Sequence, residues 1–263
     1  ALTNNNRLVP YKAAKIPIRD DEITVLTRGG KRLRSYSLYD VFKGLIKPER
    51  LDRIHEQVTQ EGLQAVGWGD VTDVLHVNTL EVMRGATPFG RTGQVLLAVR
   101  YLDLVALLDI KRKEVLWSWG PGELEWPHNP SVLDNGNLLI FDNGSRRKWS
   151  RVVELDPKKK EVVWSYSPAK GEPRFFSDTR GSAQVLPGGT VLITESDRGR
   201  IFEVTREGKL VWEWWNPELV AGKKEGTTER RLIYRAARYR EGEISLPPGT
   251  EPPPARPGSP APG

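Results

Sequence analysis

The sequence contains no cysteine, one methionine and three histidines among its 263 residues. Without cysteine the chain can form no disulfide, no thiolate metal site and no cysteine nucleophile. No apolar run approaches the length that spans a bilayer. Like charges also form no long block of the kind found in nucleic-acid-binding arms. We therefore expect a chain without a membrane span and without a nucleic-acid partner.

The composition is that of a globular protein. Hydrophobic residues make up 38% of the chain, which is enough for a core, and the net charge is +6 from 40 basic and 34 acidic residues. This modest positive charge predicts a mild attraction for anions. The chain begins at Ala1 and shows no signal-peptide pattern, so we expect a processed form or a piece of a longer protein.

Three segments share one pattern, in which an apolar run, a polar turn and a second run ending in tryptophan follow one another. The segments are Leu104–Trp117, Arg151–Trp164 and Arg200–Trp212. Their final tryptophans are 47 and 48 residues apart, a period typical of four-stranded propeller blades.

A second turn and apolar run precede each copy, at Gly93–Arg100, Asn135–Asp142 and Gly188–Glu195. Each repeat therefore holds four predicted strands. The sequence predicts an all-β fold, namely a β-propeller of four-stranded blades with a repeat of about 47–52 residues.

The N-terminal part carries a weaker copy of the pattern, Ile23–Tyr36. It predicts the outer half of an earlier blade, so residues 1–37 are expected to form a partial blade and residues 63–240 the remaining blades. Propellers close with about four to eight blades. Either residues 1–21 complete a fourth blade or further blades precede the chain. We favour the second alternative, an incomplete set of blades.

Two segments do not follow the repeat. Residues 38–62 are predicted to be a short helical insertion, because Leu51, Ile54 and Val58 fall at helical spacing after Pro48, a residue suited to the first turn of a helix. Residues 241–263 are rich in proline and glycine and are predicted to be a disordered tail.

A run of arginines precedes this tail: Arg230, Arg231, Arg235, Arg238 and Arg240. We interpret this run as a solvated face or a last strand. The alternative is a site for a nucleic-acid or lipid phosphate.

The phase of the repeat indicates a functional site, because residues at one phase of successive blades occupy equivalent places around the central axis. His76, His128 and Arg180 are each separated by 52 residues and come at the start of an innermost strand. The second strands end at Arg100, Asp142 and Glu195. An antiparallel hairpin places these ends beside the starts of the first strands. Both sets are therefore expected at one mouth of the channel.

The residue types in these two rings suit an anionic substrate. A neutral imidazole can act as a nucleophile and carry protons near neutral pH. A guanidinium offers a fixed fork of donors that matches sulfate or phosphate oxygens. His55 falls at helical spacing with Leu51 and Val58, so we interpret it as a helix residue outside the site.

Four groups of residues resemble the propeller of bacterial arylsulfate sulfotransferases, which need no nucleotide donor. They are Asp73–Leu80, Val99–Asp103, Trp126–Pro130 with Gly136–Gly144, and Arg180–Pro187 with Ile193–Glu203. The resemblance extends from about Trp68 to Asn216. It implies a transferase that moves a sulfuryl group from an aryl sulfate to a phenol through a sulfated histidine, without a cofactor.

The resemblance also implies roles for individual residues. His128 corresponds to the sulfated nucleophile and His76 to the acid and base on the phenol oxygen. Asn78 corresponds to a donor to the sulfuryl oxygens and Arg100 to the arginine that holds them. Arg180 and Asp142 are further candidates for substrate binding. The implied partners are a small aryl sulfate and a phenolic acceptor, and the implied location is periplasmic or extracytoplasmic.

Two other functions stay open at this point. The chain could be a binding or scaffolding propeller without turnover. It could also be a metal-dependent hydrolase, with His76, His128 and Asp142 or Glu195 as ligands, since these residue types suit zinc or manganese.

Overall fold

The computed structural model of the chain describes residues 1–64, 66, 70–167, 175–222, 227–240 and 242–243. Apart from 242 and 243, the predicted disordered tail of residues 241–263 lies outside these residues, as does Trp68. The described fold is all-β with two short helices. No helix in these ranges is both long and apolar enough to span a membrane.

The N-terminal sheet has three antiparallel strands, in the order β1-β2-β3. They are β1 (Leu2–Tyr11), β2 (Ala14–Leu26) and β3 (Arg32–Ser37). Two helices follow, α1 (Leu38–Phe42) and α2 (Pro48–Glu61), with a 3-10 turn at Lys43–Leu45 between them. Pro48 opens α2, while Leu51 and Ile54 are buried, so the predicted helical insertion is confirmed.

Three four-stranded antiparallel sheets follow, each in simple up-and-down order. Blade 1 consists of β4 (Val77–Val82), β5 (Val95–Val99), β6 (Leu104–Asp109) and β7 (Glu114–Trp119). Blade 2 consists of β8 (His128–Val132), β9 (Leu138–Asp142), β10 (Arg151–Asp156) and β11 (Glu161–Tyr166). Blade 3 consists of β12 (Ser182–Val185), β13 (Val191–Glu195), β14 (Arg200–Val204) and β15 (Leu210–Trp215). Further 3-10 turns lie at Arg100–Leu102 and Ser196–Arg198. A small hairpin, β16 (Leu219–Ala221) and β17 (Thr228–Arg230), comes after blade 3.

The outer hairpin of each blade and the hairpin of β2 and β3 carry the same irregularity. The register between the third and fourth strands shifts by one residue at Leu107/Leu108, Glu154/Leu155 and Glu203/Val204. The N-terminal sheet has the equivalent shift at Val25/Leu26, between β2 and β3. A bulge bends a strand and increases its twist. The hairpin of β2 and β3 therefore shares this bulge with the outer hairpins of the three blades.

The blades pack face to face, and this packing explains their composition. The second strands are buried on both faces, as expected for short continuous apolar runs. Trp117 donates its indole N–H to the Pro157 carbonyl at 2.9 Å, and Trp164 donates to the Arg206 carbonyl at 2.7 Å. The recurring tryptophans thus bridge to the next blade, and the predicted propeller-blade fold is confirmed.

The innermost strands bring the site together. β8 contacts both β4 and β12, and the start of each strand lies next to the end of the second strand of its own blade. Polar residues at these positions, which are distant in sequence, therefore face a common region at one end of the sheets.

Candidate functional site

His128, the first residue of β8, is 7% exposed. Two residues with left-handed backbone flank it, Trp126 with a φ of 56° and Asn129 with a φ of 46°. A tryptophan at positive φ is strained, and such strain is maintained only where the surroundings impose it. Here the Trp126 amide donates to Asp103 Oδ1 at 2.9 Å and the Asn129 amide to Thr79 Oγ1 at 3.0 Å. These bonds fix the backbone on both sides of the histidine.

The hydrogen bonds of His128 determine its tautomer. Its Nδ1 lies 2.7 Å from Asn143 Oδ1 and 3.1 Å from the Trp126 carbonyl oxygen. Asn143 donates its amide hydrogens to the carbonyls of Ser177 at 2.6 Å and Arg180 at 2.7 Å, which orients Oδ1 towards the ring. Both neighbours of Nδ1 are acceptors, so Nδ1 carries the proton. Nε2 therefore holds a free lone pair.

The surroundings of His128 also keep its ring uncharged. Burial lowers its pKa to about 4, although the hydrogen bonds to Asn143 and Trp126 oppose the shift. The nearby charges of Arg100 and His76 lower the pKa further. At neutral pH the imidazole is therefore neutral, the state that a nucleophile requires.

His76 precedes β4 in a left-handed conformation with a φ of 53°. Its amide donates to Asp73 Oδ1 at 3.0 Å, and its Nδ1 lies 2.5 Å from Asp73 Oδ2. Asp73 is fully buried and also pairs with Arg19 at 2.6 Å. The carboxylate therefore orients the imidazole.

Arg100 lies between the histidines and an aromatic wall. Its Nη1 is 3.4 Å from His76 Nε2, and its guanidinium stacks 3.9 Å from the centre of the Trp126 ring. The residue is 7% exposed, and its Nε has no hydrogen-bond partner within the described part of the chain. Burial lowers its pKa from the usual arginine value. The site thus keeps a largely desolvated cation next to an imidazole.

A cavity of about 150 Å³ connects three blades at this point. Its walls come from the starts of the innermost strands and from a segment after blade 3: Asn78, Thr79, Leu80, His128, Asn129, Arg180, Gly181, Tyr234 and Arg235. Asn78 donates one amide hydrogen to the Pro127 carbonyl at 3.0 Å, which positions the residue before His128. Arg180 donates to Thr179 Oγ1 at 2.9 Å and lies 3.6 Å from Asp197.

Asp142 has a different place from the one expected. Its carboxylate is fully buried, pairs with Arg147 at 3.0 Å and Arg151 at 2.7 Å, and accepts the Glu125 amide at 2.8 Å. These bonds use its acceptor capacity inside the blade. We therefore correct the expectation that Asp142 binds substrate, and assign it to the support of the outer loops.

Glu195, the other carboxylate among the candidate metal ligands, is also paired with arginines. Glu195 is buried and pairs with Arg198 at 3.4 Å and Arg200 at 3.5 Å. No group of three or more histidine, aspartate or glutamate side chains with metal-binding geometry occurs in the ranges that the structure describes. His55 lies on α2, where its ring packs edge-on against Tyr11 at 6.1 Å.

Sequence reasoning missed three groups of residues: Asn143, Asp73 as a partner of His76, and the pair Tyr234 and Arg235. One signal was available for Asn143, because it follows the end of β9 as Ser196 follows the end of β13. The pair after blade 3 lies outside the repeat and offered no such signal.

The family of the chain follows from a comparison with family models. The model described as Arylsulfotransferase (ASST) matches residues 46–217, which is more than half of the chain. The chain belongs to the arylsulfotransferase family. The matched region of this arylsulfotransferase-family chain contains five candidate site residues, namely His76, Asn78, Arg100, His128 and Arg180. Tyr234 and Arg235 lie beyond it.

Solved structures with some similarity to the chain include the following three. A protein of unknown function from Bacteroides caccae is 14% identical with a TM-score of 0.44, over 74% of this chain and 54% of that one. A catalytically inactive virginiamycin B lyase from Staphylococcus aureus with quinupristin is 10% identical with a TM-score of 0.41, over 82% and 60%. The Dos1 propeller is 12% identical with a TM-score of 0.42, over 81% and 47%. This arylsulfotransferase-family chain thus spans about half of the length of these structures. The comparison with curated proteins gave no significant match.

Proposed function

We propose that this protein transfers a sulfuryl group from an aryl sulfate to a phenol through a sulfohistidine at His128. The observation that carries the proposal is the state of His128: a neutral ring, with its proton on Nδ1 and its lone pair on Nε2, at the wall of a cavity lined by Asn78 and Arg180. Family membership supports sulfuryl transfer as the type of reaction.

In the first half of the reaction, His128 Nε2 attacks the sulfur atom of the donor. The N–S bond forms as the bond between sulfur and the phenolic oxygen breaks, and the leaving oxygen takes a proton from His76. The sulfated ring then carries a positive charge, which the acceptors around Nδ1, Asn143 Oδ1 and the Trp126 carbonyl, stabilise. Asp73 restrains His76 during this step.

In the second half, an acceptor phenol gives its proton to His76 and its oxygen attacks the same sulfur atom. The N–S bond breaks, and its electron pair returns to Nε2 of His128. His76 is then ready to protonate the next leaving group. The transition state carries negative charge on three sulfuryl oxygens, and preorganised cations around such charge typically contribute about 10²–10³-fold in rate. We assign this role to Arg100, which lies next to His76, and to Arg180, which lines the cavity.

The test combines turnover with detection of the intermediate. The 263-residue chain is incubated with 4-nitrophenyl sulfate with and without phenol, and we expect release of nitrophenol that depends on the acceptor. After a quench with donor alone, mass spectrometry should find a sulfate adduct on the peptide that contains His128.

The matched substitutions are His128→Asn and His55→Asn. An asparagine at position 128 can still donate to Asn143, so we expect a folded protein without adduct and without turnover, while His55→Asn should retain both. Normal turnover in the His128→Asn protein would refute the mechanism. A chain that binds the donor without releasing nitrophenol would instead be a binding module.

A further inference from the structure

The segment Arg231–Arg240, here called the C-terminal strap, follows β17 and lies against blade 3. Ser196 donates its hydroxyl to the carbonyls of Ile233 and Tyr234 and accepts the Ile233 amide at 3.1 Å through its own carbonyl. The Ala236 amide donates to Thr194 Oγ1 at 3.2 Å. The strap is therefore attached to the end of β13.

The next part of the strap is held by a side chain that forms hydrogen bonds with both backbone groups of one strap residue. Gln184, on the innermost strand β12, accepts the Arg238 amide at 2.8 Å and donates to the Arg238 carbonyl at 2.9 Å. Arg238 also pairs with Glu203 and lies 5.0 Å from the Trp212 ring centre. These contacts cross one face of blade 3, because Gln184, Glu203 and Trp212 lie on the same face of the sheet.

The arrangement of Arg238, Glu203 and Trp212 has a counterpart between blades 2 and 3. There Arg206 pairs with Glu154 at 2.5 Å and lies 4.8 Å from the Trp164 ring centre. Trp164 and Trp212 hold the same place in their blades, as do Glu154 and Glu203. The strap thus covers blade 3 in the way in which blade 3 covers blade 2. It is an integral part of the fold, and Arg238 pairs with Glu203 while its side chain stays 43% exposed.

Two strap residues reach the functional site. Tyr234 and Arg235 line the cavity of about 150 Å³ on which His128, Asn78 and Arg180 also lie. The Arg180 guanidinium is 5.9 Å from the centre of the Tyr234 ring. Within the described ranges no carboxylate forms an ion pair within 4.0 Å of the Arg235 guanidinium, and Glu81 acts on it only through a longer-range Coulombic attraction. Tyr234 is 67% exposed and forms part of the mouth.

The volume of the cavity indicates which part of a ligand it can hold. A cavity of about 150 Å³ is large enough for one benzene ring. A single aromatic ring that carries a charged group would place the charge among the arginines and the ring near Tyr234.

We propose that Tyr234 and Arg235 form the substrate-selecting wall of the site, with Arg235 binding the anionic group of an aryl sulfate and Tyr234 contacting its ring. This inference rests on the proposed function for the identity of the ligand. It assigns the selection of substrate to a segment beyond the matched family region.

Binding, which needs no turnover, tests the inference. In the His128→Asn background, calorimetry measures the dissociation constants of 4-nitrophenyl sulfate, 2-naphthyl sulfate and phenol. Each strap substitution has a control elsewhere on the strap with the same chemical change: Arg235→Gln against Arg231→Gln, and Tyr234→Ala against Tyr239→Ala. Arg231 pairs with Glu218 at 2.7 Å, and neither control residue lines this cavity.

We expect Arg235→Gln to weaken the binding of 4-nitrophenyl sulfate by about threefold to tenfold, since a charge-assisted contact at an exposed mouth is partly screened. Phenol, which is uncharged, should bind as before. Tyr234→Ala should weaken the binding of both aryl esters, because it removes the side chain that contacts the aromatic ring. Both controls should match the His128→Asn parent.

Equal affinities in the Arg235→Gln and Arg231→Gln proteins would overturn the role of Arg235, and equal affinities for the aryl esters in the Tyr234→Ala and Tyr239→Ala proteins would overturn that of Tyr234. These results are separate from the failure of the proposed function. If the unsubstituted chain binds 4-nitrophenyl sulfate but never releases nitrophenol, the transferase proposal fails while the binding comparison still decides the strap. If the unsubstituted chain binds no aryl sulfate, both proposals fail.

Discussion

The low pKa of His128 makes a specific prediction for the pH dependence of the first half-reaction. At pH 5 a histidine with the ordinary pKa of about 6.5 is only roughly 3% neutral. With a pKa of about 4, roughly 90% of His128 is neutral at the same pH. We therefore expect the nucleophile to remain active at a pH at which an exposed histidine would be almost entirely protonated.

The assay is a single turnover with excess protein over 4-nitrophenyl sulfate, stopped at intervals and read as nitrophenol after the pH is raised. The donor is a sulfate ester that stays anionic over the whole range, so its ionisation does not interfere. We expect the rate of adduct formation at pH 5 to stay within about threefold of the rate at pH 7.5. A fall of about 30-fold, with a midpoint near 6.5, would show that His128 has an ordinary pKa, and would refute the reasoning from burial.

Stability gives an independent measurement of the same pKa. The pKa of His128 is lower in the folded than in the unfolded state, so its contribution is fully present above about pH 6.5 and is lost as the pH falls towards 4. At pH 5 the loss is roughly 2 kcal/mol by linkage. Urea unfolding at pH 7.5 and 5 of the parent and of His128→Asn isolates this term, because Asp21, whose pKa burial raises to about 6, contributes equally to both. Equal pH dependence in the two proteins would contradict the shift.

Two further substitutions test the site and its frame. Arg100→Lys should lower kcat/KM for aryl sulfates by about 10²-fold, because a lysine retains the charge but loses the planar stack on Trp126 and the forked donors. Gly181→Ala should destabilise the fold by about 2–4 kcal/mol in urea, because its φ is 139° and a Cβ would lie 2.3 Å from the buried Phe141 ring. Gly188→Ala, which meets no atom within 4 Å, is the control.

Each of these substitutions has a clear contrary outcome. An Arg100→Lys protein with unchanged kcat/KM would mean that the stacked guanidinium makes no contact with the sulfuryl group. A Gly181→Ala protein as stable as Gly188→Ala would mean that blades 2 and 3 approach less closely at this point than the structure shows.

The pattern of residues along the chain was sufficient to predict the blades. The spacing of Trp117, Trp164 and Trp212 marks the end of each repeat, and the apolar runs before them become the strands that neighbouring blades bury. Strand periodicity is a local property, and blades repeat it at a constant interval, so sequence alone reveals it. The register differs at the two histidines, because His128 pairs with Phe141 inside blade 2 whereas His76 precedes β4 and lies opposite Arg100.

Other features depend on contacts between blades, and sequence could not reveal them. Asp142 ends β9 and Arg100 follows the end of β5. Asp142 is paired with Arg147 and Arg151, while Arg100 stacks on Trp126 beside His76. Both are charged residues at the end of an apolar run, and only their neighbours decide which one lies beside a histidine.

The sequence by itself determined the all-β repeat and the positions of the candidate histidines within it. Only the tertiary structure decided the chemical state of His128 and the inclusion of the strap. The tautomer depends on Asn143, whose amide is oriented by carbonyls of the following blade, and the low pKa depends on burial among three sheets. Tyr234 reaches the same cavity from more than 100 residues further along the chain. Hydrogen-bond direction and desolvation are set by atoms that are close in space but distant in sequence, so they emerge only when the blades have packed.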